Sequence, residues 1–219
     1  MNANPHARQR VIVYAKRPLP GHAKTRLGAA IGAAQAAGVY ARLLYSYLLD
    51  LLRADLAGTC IELSVASPAD VPFFADAFPE LVVRPQIEGN LGQRMAASFA
   101  QAFAAGAESV VLTGSDVPHL GSRIVRAAFH ALETAPVVIG PASDGGYYLI
   151  GMRAPGAPLF EGVEWGSKRV RAQTRALANA QGLVVAYLAE QFDVDCVEDW
   201  RRWRQQLRGG ETGAGRRTP

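Results

Sequence analysis

Short apolar runs alternate with helical stripes along almost the whole chain. Val11–Ala15, Ile61–Val65, Leu81–Val83, Val110–Thr113, Val137–Gly140, Tyr147–Ile150 and Leu183–Leu188 are brief and rich in β-branched or aromatic residues, as buried strands are. Between them the apolar spacing lengthens to three and four. Ala33–Leu56 predicts a long helix, with Val39, Leu43, Leu44, Tyr47, Leu48 and Leu51 on one face. Pro68–Phe78 predicts a short helix, and the Gly89–Met95 turn opens another that runs to Ala105. Ser122 is read as the cap of a helix carrying Ile124, Val125, Ala128, Phe129 and Leu132. Ser167 is read as the cap of Lys168–Ala180, and the last helix spans Val197–Leu207. Strands that alternate with helices imply an α/β domain whose mainly parallel central sheet is covered on both faces.

Composition narrows this picture without changing it. At 219 residues, 49% hydrophobic and 19% charged, the chain fits one globular domain. The formal charge of +4 is terminal: Arg8 and Arg10 supply two units, and Arg208, Arg216 and Arg217, offset by Glu211, supply two more. Residues 11–207 are balanced, so no nucleic-acid partner is expected. Residues 1–9 and 208–219 are expected to be disordered tails around a body at 10–207. Cys60 and Cys196 build no disulfide or metal framework. The apolar stretch around Tyr40–Leu52 is interrupted by Arg42 and Asp50, so it is a buried amphipathic helix and not a membrane span. A cytoplasmic protein is expected.

Chemistry concentrates where strands end. After Val110–Thr113 come Gly114-Ser115-Asp116-Val117-Pro118. A carboxylate at the carboxyl end of a central strand overlooks the crevice where open α/β sheets bind ligands, and it needs a cation or donor if it is covered. The structural alternative is an Asx-turn at Asp116. After the first strand, the segment from Lys16 to Leu27 holds Lys16, Arg17, Lys24 and Arg26 around Gly21, which suits phosphate oxygens. It is not a P-loop, because Ala23 stands where the glycine before Lys24-Thr25 should be. A solvated basic turn is the alternative there.

The glycine-bearing turn Gln86-Ile87-Glu88-Gly89-Asn90-Leu91-Gly92-Gln93-Arg94-Met95 would let a flat ring or backbone approach closely, or would simply start a helix. Asp144-Gly145-Gly146-Tyr147 is a hairpin corner whose two glycines would leave room for a substrate beside Asp144. Exposed N–H groups near Ser167 would suit an anionic substrate. Asp195 and Glu198 have capping-box spacing, whereas Asp193 has no such structural duty.

Taken in order, these motifs resemble the GT-A-like transferases of the DUF2064 family, a glycosyltransferase-like bacterial group related to 2-phospholactate guanylyltransferases. The resemblance covers about residues 10–203. It implies a single GT-A (nucleotide-diphospho-sugar transferase) Rossmann-like domain. Lys16, Gly21, Lys24, Thr25 and Arg26 would hold nucleotide phosphates, and Gly89, Leu91, Gly92 and Arg94 would lie near the base. Asp116, Asp193 and Asp195 would hold Mg²⁺ or Mn²⁺. The acceptor would meet Gly145, Gly146, Tyr147, Trp165 and Ser167, with Asp144 as base beside the catalytic pair Asp116 and Lys24. The usual Asp-x-Asp of glycosyltransferases is reduced here to Ser115-Asp116, with no first aspartate.

The expected activity is metal-dependent glycosyl transfer from a nucleotide sugar to a small acceptor. The alternatives are guanylyltransferase-like nucleotidyl transfer from a triphosphate to a small phosphorylated substrate, and non-catalytic nucleotide binding. Oligomeric state is not readable from the sequence.

Overall fold

The computed structural model describes residues 7–154 and 158–213. Seven strands form one sheet: β1 (Gln9–Ala15), β2 (Thr59–Val65), β3 (Val82–Pro85), β4 (Ser109–Thr113), β5 (Val137–Pro141), β6 (Tyr147–Met152) and β7 (Val185–Tyr187). Their order is β3-β2-β1-β4-β6-β5-β7. Every neighbouring pair is parallel except those made by β6, which runs against both β4 and β5. The chain winds outward from β1 through β2 and β3, then restarts at β4 on the other side of β1. The gap between the carboxyl ends of β1 and β4 is therefore a topological switch point, where open sheets leave a crevice.

The helices are α1 (Thr25–Ile31), α2 (Ala33–Arg53), α3 (Val71–Ala77), α4 (Leu91–Ala104), α5 (Ser122–Thr134), α6 (Val170–Ala180) and α7 (Val197–Gly213). Helix α2 buries Tyr40, Leu43, Leu44, Tyr47, Leu48 and Leu51 along the face its periodicity predicts. That face joins α3, α5 and the sheet in one core. Met95 and Phe99 of α4 and Ala178 of α6 cover the opposite face with Ile12, Leu112 and Ile150. A third cluster packs Leu27 of α1 and Leu43 of α2 against Phe192, Val194 and Trp203. Each fully buried leucine contributes about 1.5–3 kcal/mol, so the layers hold together chiefly by apolar burial.

Several expectations change. Helix α1 is additional. Its seven residues, with Gly28 inside and Gly32 closing it, are too short and glycine-rich to show a stripe, and it exists because Leu27 is buried against α2. Ser122 is not a cap; it is the first residue of α5, and the Asp50 carboxylate of α2 accepts its N–H at 2.6 Å. A charged acceptor displaces the hydroxyl from that task. Ser167 likewise lies before the helix start, its Oγ accepting the Arg169 N–H at 3.2 Å.

Arg10 is no tail charge. It sits in β1, buried, with Nη1 2.9 Å from Glu62 on β2. Burial, opposed by Arg10 and Arg84, pushes the Glu62 carboxyl up from its ordinary value. Helix α7 runs on to Gly213 instead of ending at Leu207. The outer parts of the two expected tails, residues 1–6 and 214–219, lie outside the described residues. No helix among the described residues is long and apolar enough to cross a membrane.

Candidate active site at the carboxyl edge of the sheet

Strand β4 ends at Thr113, and the turn that follows is fastened from below. Tyr47 and Tyr40, seven residues apart on the buried face of α2, aim their hydroxyls at Thr113 Oγ1 (3.1 Å) and Ser115 Oγ (2.9 Å). Ser115 Oγ also donates to the Tyr14 carbonyl at 2.8 Å, tying β4 to β1. The Tyr40 hydroxyl accepts the Lys16 N–H at 3.0 Å, which fixes the exit of β1 as well. Gly114 stands where the first aspartate of an Asp-x-Asp would stand, and Ser115, between it and Asp116, is buried and structural. What the network delivers to the crevice is Asp116.

Lys24 meets it there. Its Nζ donates to Asp116 Oδ2 at 2.8 Å and to Asp195 Oδ1 at 2.9 Å, although the residues come from three distant segments. The Lys24 side chain is 5% exposed and its carboxylate partners about two-fifths, so the ammonium is the innermost charge. Burial alone would lower its pKa, but Asp116 and Asp195 outweigh burial and hold it above the ordinary lysine value. Lys24 is also the only non-glycine residue with positive φ among the described residues, at φ 54° and ψ 47°. That left-handed backbone costs about 1–2 kcal/mol. It turns the loop into α1 so that the side chain points inward.

Asp193 completes an acidic cluster: one carboxylate oxygen each from Asp116, Asp193 and Asp195 lies within 4.8 Å of the others. Burial, followed by the Asp116 charge, pushes the Asp193 carboxyl up to about 6. The capping alternative for Asp195 is not realised. Asp199 reaches back to accept the N–H groups of Asp195 and Cys196 at 3.1 and 2.9 Å, which frees the Asp195 carboxylate for Lys24 and for Arg26 at 3.3 Å. An oxygen-only set of three carboxylates has the chemistry of a hard divalent cation site such as Mg²⁺ or Mn²⁺.

Two chambers meet at Asp116. The first, about 340 Å³, lies under the ends of β1, β2 and β4 and includes Tyr14, Lys16, Lys24, Gln86, Leu91 and Arg94. The second, about 400 Å³, includes Arg26, Asp144, Gly146, Trp165, Ser167 and Asp193. Leu91, Gly114, Asp116, Tyr147 and Tyr148 belong to both walls.

The sequence-derived sets divide accordingly. Lys16, Lys24, Leu91 and Arg94 line the first chamber; Arg26, Asp144, Gly146, Tyr147, Trp165 and Ser167 line the second. Gly21, Thr25, Gly89, Gly92 and Gly145 line neither. The glycine space read as room for a ligand is mostly taken by the protein itself. A Cβ on Gly89 would meet Gln93 Oε1 at 2.6 Å, inside the capping box that Asn90 and Gln93 form. One on Gly92 would meet Trp165 Nε1 at 2.7 Å, and one on Gly145 the Lys168 carbonyl oxygen at 2.3 Å. Asp144 spends one oxygen on the Gly146 N–H at 2.8 Å, an Asx-turn within the hairpin corner. Arg17 of the basic loop leaves the crevice and stacks 4.2 Å over the Phe73 ring.

Sequence reasoning missed Tyr14 and Tyr40, and it named Ser115 and Gln86 within their motifs without giving either a role. Tyr40 was legible only as a core residue, because nothing in its spacing tells which strand end its hydroxyl reaches.

Comparison with known proteins follows the same lines. No curated protein matches the chain. A solved structure from Desulfovibrio desulfuricans G20, provisionally described as a nucleotide-diphospho-sugar transferase, is 34% identical with a TM-score of 0.82, covering 89% of this chain and 85% of that one. The 4-diphosphocytidyl-2C-methyl-D-erythritol synthase of Anaerococcus prevotii is 10% identical (TM-score 0.58, 93% and 97% covered). The inositol-1-phosphate CTP transferase of T. maritima is 15% identical (TM-score 0.57, 90% and 94% covered). At such low identity the last two show a shared fold only. The profile of a family described as uncharacterized proteins conserved in bacteria, DUF2064, matches residues 51–167, a narrower span than the motifs suggested. With that match over just over half its length, and a solved relative 34% identical across 89% of it, the chain belongs to the DUF2064 family.

Proposed function

We propose that this protein is a divalent-metal-dependent transferase that takes a nucleotide-activated donor in the first chamber and a small acceptor in the second. The observation that carries this reading is the convergence of Lys24, Asp116, Asp193 and Asp195 at the junction of the two chambers. The 34% identical relative described as a nucleotide-diphospho-sugar transferase supports glycosyl transfer in particular.

Asp116, Asp193 and Asp195 would hold Mg²⁺ or Mn²⁺, and the cation, when bound, neutralises charge on the donor's phosphates. Lys24 and Lys16 add positive charge on the same side, and Lys24 is fixed before any ligand arrives, so little reorganisation is needed. In glycosyl transfer the acceptor hydroxyl oxygen bonds to the anomeric carbon while that carbon's bond to the diphosphate oxygen breaks. The electron pair leaves with the nucleoside diphosphate. Asp144, in the second chamber, takes the hydroxyl proton. Trp165 and Tyr147 form the apolar wall against which the acceptor would be positioned.

One observation favours a second reading, nucleotidyl transfer with release of pyrophosphate. The carboxylates are split between the β4 end and the 193–195 segment, with Gly114 in place of a first aspartate. Incubation with a panel of nucleotide sugars and nucleoside triphosphates, with Mg²⁺ or Mn²⁺, tests both. Slow metal-dependent hydrolysis of a sugar nucleotide is the expected result. Pyrophosphate release from a triphosphate in the presence of phosphorylated small molecules would move the assignment to the second reading. Nucleotide-dependent thermal stabilisation without turnover would leave a binding protein, and no stabilisation by any nucleotide would overturn the proposal.

A further inference from the structure

The β3 end of the first chamber carries a fixed pair of polar side chains. Gln86 Nε2 donates to the Ser64 carbonyl at 2.9 Å, and Gln86 Oε1 accepts from Arg94 Nη1 at 2.9 Å. Those partners admit one amide orientation, since only the NH₂ can face a carbonyl and only the oxygen can face a guanidinium. Arg94 is thereby held against the chamber that both residues line. Its Nε–H is covered and has no hydrogen-bond partner, a costly state for a charged group. The guanidinium offers donors only. Around it, Leu91, Met95 and Ala66 are apolar, and the Tyr14 hydroxyl is already engaged with Ser98 Oγ at 2.9 Å.

Gln86 follows β3 and Asp116 follows β4, with β2 and β1 between them. Three strand spacings separate these two ends of the crevice by about 14 Å. That is the reach of an extended nucleoside diphosphate. With phosphates at Lys24 and Asp116, the base falls beside Arg94.

We infer that Arg94, positioned by Gln86, reads the nucleotide's base and selects a carbonyl-bearing one (guanine, cytosine or uracil) against adenine. The inference rests on the proposed use of a nucleotide at this site. A carbonyl oxygen, best with a neighbouring acceptor as in guanine O6 and N7, accepts from a guanidinium, whereas adenine places an amino donor there. An amide is what adenine's edge would require, and both ends of the Gln86 amide are already engaged.

Calorimetric titration of the full chain with ATP, GTP, CTP and UTP, each with Mg²⁺, tests this. ATP should bind roughly tenfold or more weakly than the best of the other three. Arg94→Gln, which supplies a donor and an acceptor, should bring that ratio toward one. Gln86→Met, which frees the guanidinium, should move it the same way by less, and it decides the matter if the first variant does not fold. Equal binding of all four nucleotides by the unaltered protein would overturn the inference and leave the proposed function standing. So would a loss of the same factor for all four in both variants. Binding of no nucleotide would remove the proposed function, and the inference with it.

Discussion

The two chambers that meet at Asp116 are built from different materials. The first is walled by strand ends, and its polar groups are locked: Ser115 between Tyr40 and the Tyr14 carbonyl, Gln86 between Ser64 and Arg94, Lys24 between Asp116 and Asp195. The second is walled largely by the loop segments 142–146 and 163–168, and there the chain packs against itself. Gly145 yields its space to the Lys168 backbone, and Gly92 yields its space to the Trp165 indole. A fixed, charged half beside a loop-built, aromatic half suits an enzyme that must hold one constant ligand and accept a more variable one. The difference also separates two meanings of glycine, as room for a ligand and as room for the protein.

Four substitutions test this contrast. The largest effect is expected from Asp116→Asn, which removes the carboxylate shared by both chambers. Metal-dependent nucleotide binding should fall by more than the roughly 10–100-fold seen for outer-shell partners of metal sites, with the circular dichroism spectrum unchanged. Undiminished affinity in calorimetry would show that the junction is not where the ligand's charge is held.

Gly145→Ala comes next. A methyl group would sit 2.3 Å from the Lys168 carbonyl oxygen on a residue with φ 93°, so backbone strain adds to overpacking. A stability loss of about 2–4 kcal/mol is expected in denaturant unfolding. A variant of normal stability would instead restore the reading of Gly145 as room for substrate.

Lys24→Met keeps the length of the side chain and removes its charge from between Asp116 and Asp195. Because those carboxylates are partly exposed, the expected loss is about 1–3 kcal/mol and not the larger cost of a fully buried pair. Mn²⁺ should raise the melting temperature of this variant more than that of the parent protein, since the cation replaces the missing ammonium. An equal rise in both proteins would separate Lys24 from the cation site.

The smallest effect is a pH slope. The Asp193 carboxyl, pushed up to about 6, holds its proton longer in the folded chain than at the unfolded value of about 3.9. The folded state therefore binds the extra proton, and stability falls as pH rises from about 4 through 6. Asp193→Asn should remove roughly 1 kcal/mol of that fall, after discounting for the partly exposed position. Parallel stability curves for the two proteins across this window would contradict the assignment.

Much of this was legible beforehand. Asp116 could be found because a β-branched run that stops at Gly114-Ser115 places the next carboxylate at a strand's carboxyl end. Lys24 could be found because cations after a first strand face the same edge. Helix α1 could not, since its seven residues are stabilised by Leu27 against α2 and not by propensity. Nor could the fate of Asp195, where local spacing gave it a capping partner and Asp199 took over that contact.

The alternating architecture, the edge of the sheet where charged side chains cluster, and most of those side chains can be read from the chain alone. These follow from periodicity and from where apolar runs end, which are local properties of a chain. It took the folded chain to bring Lys24, Asp116 and Asp195 into one contact, to put Arg10 in the interior, and to commit Gly92 and Gly145 to packing. Such outcomes depend on which distant groups compete for the same few ångströms, and no local pattern records that competition.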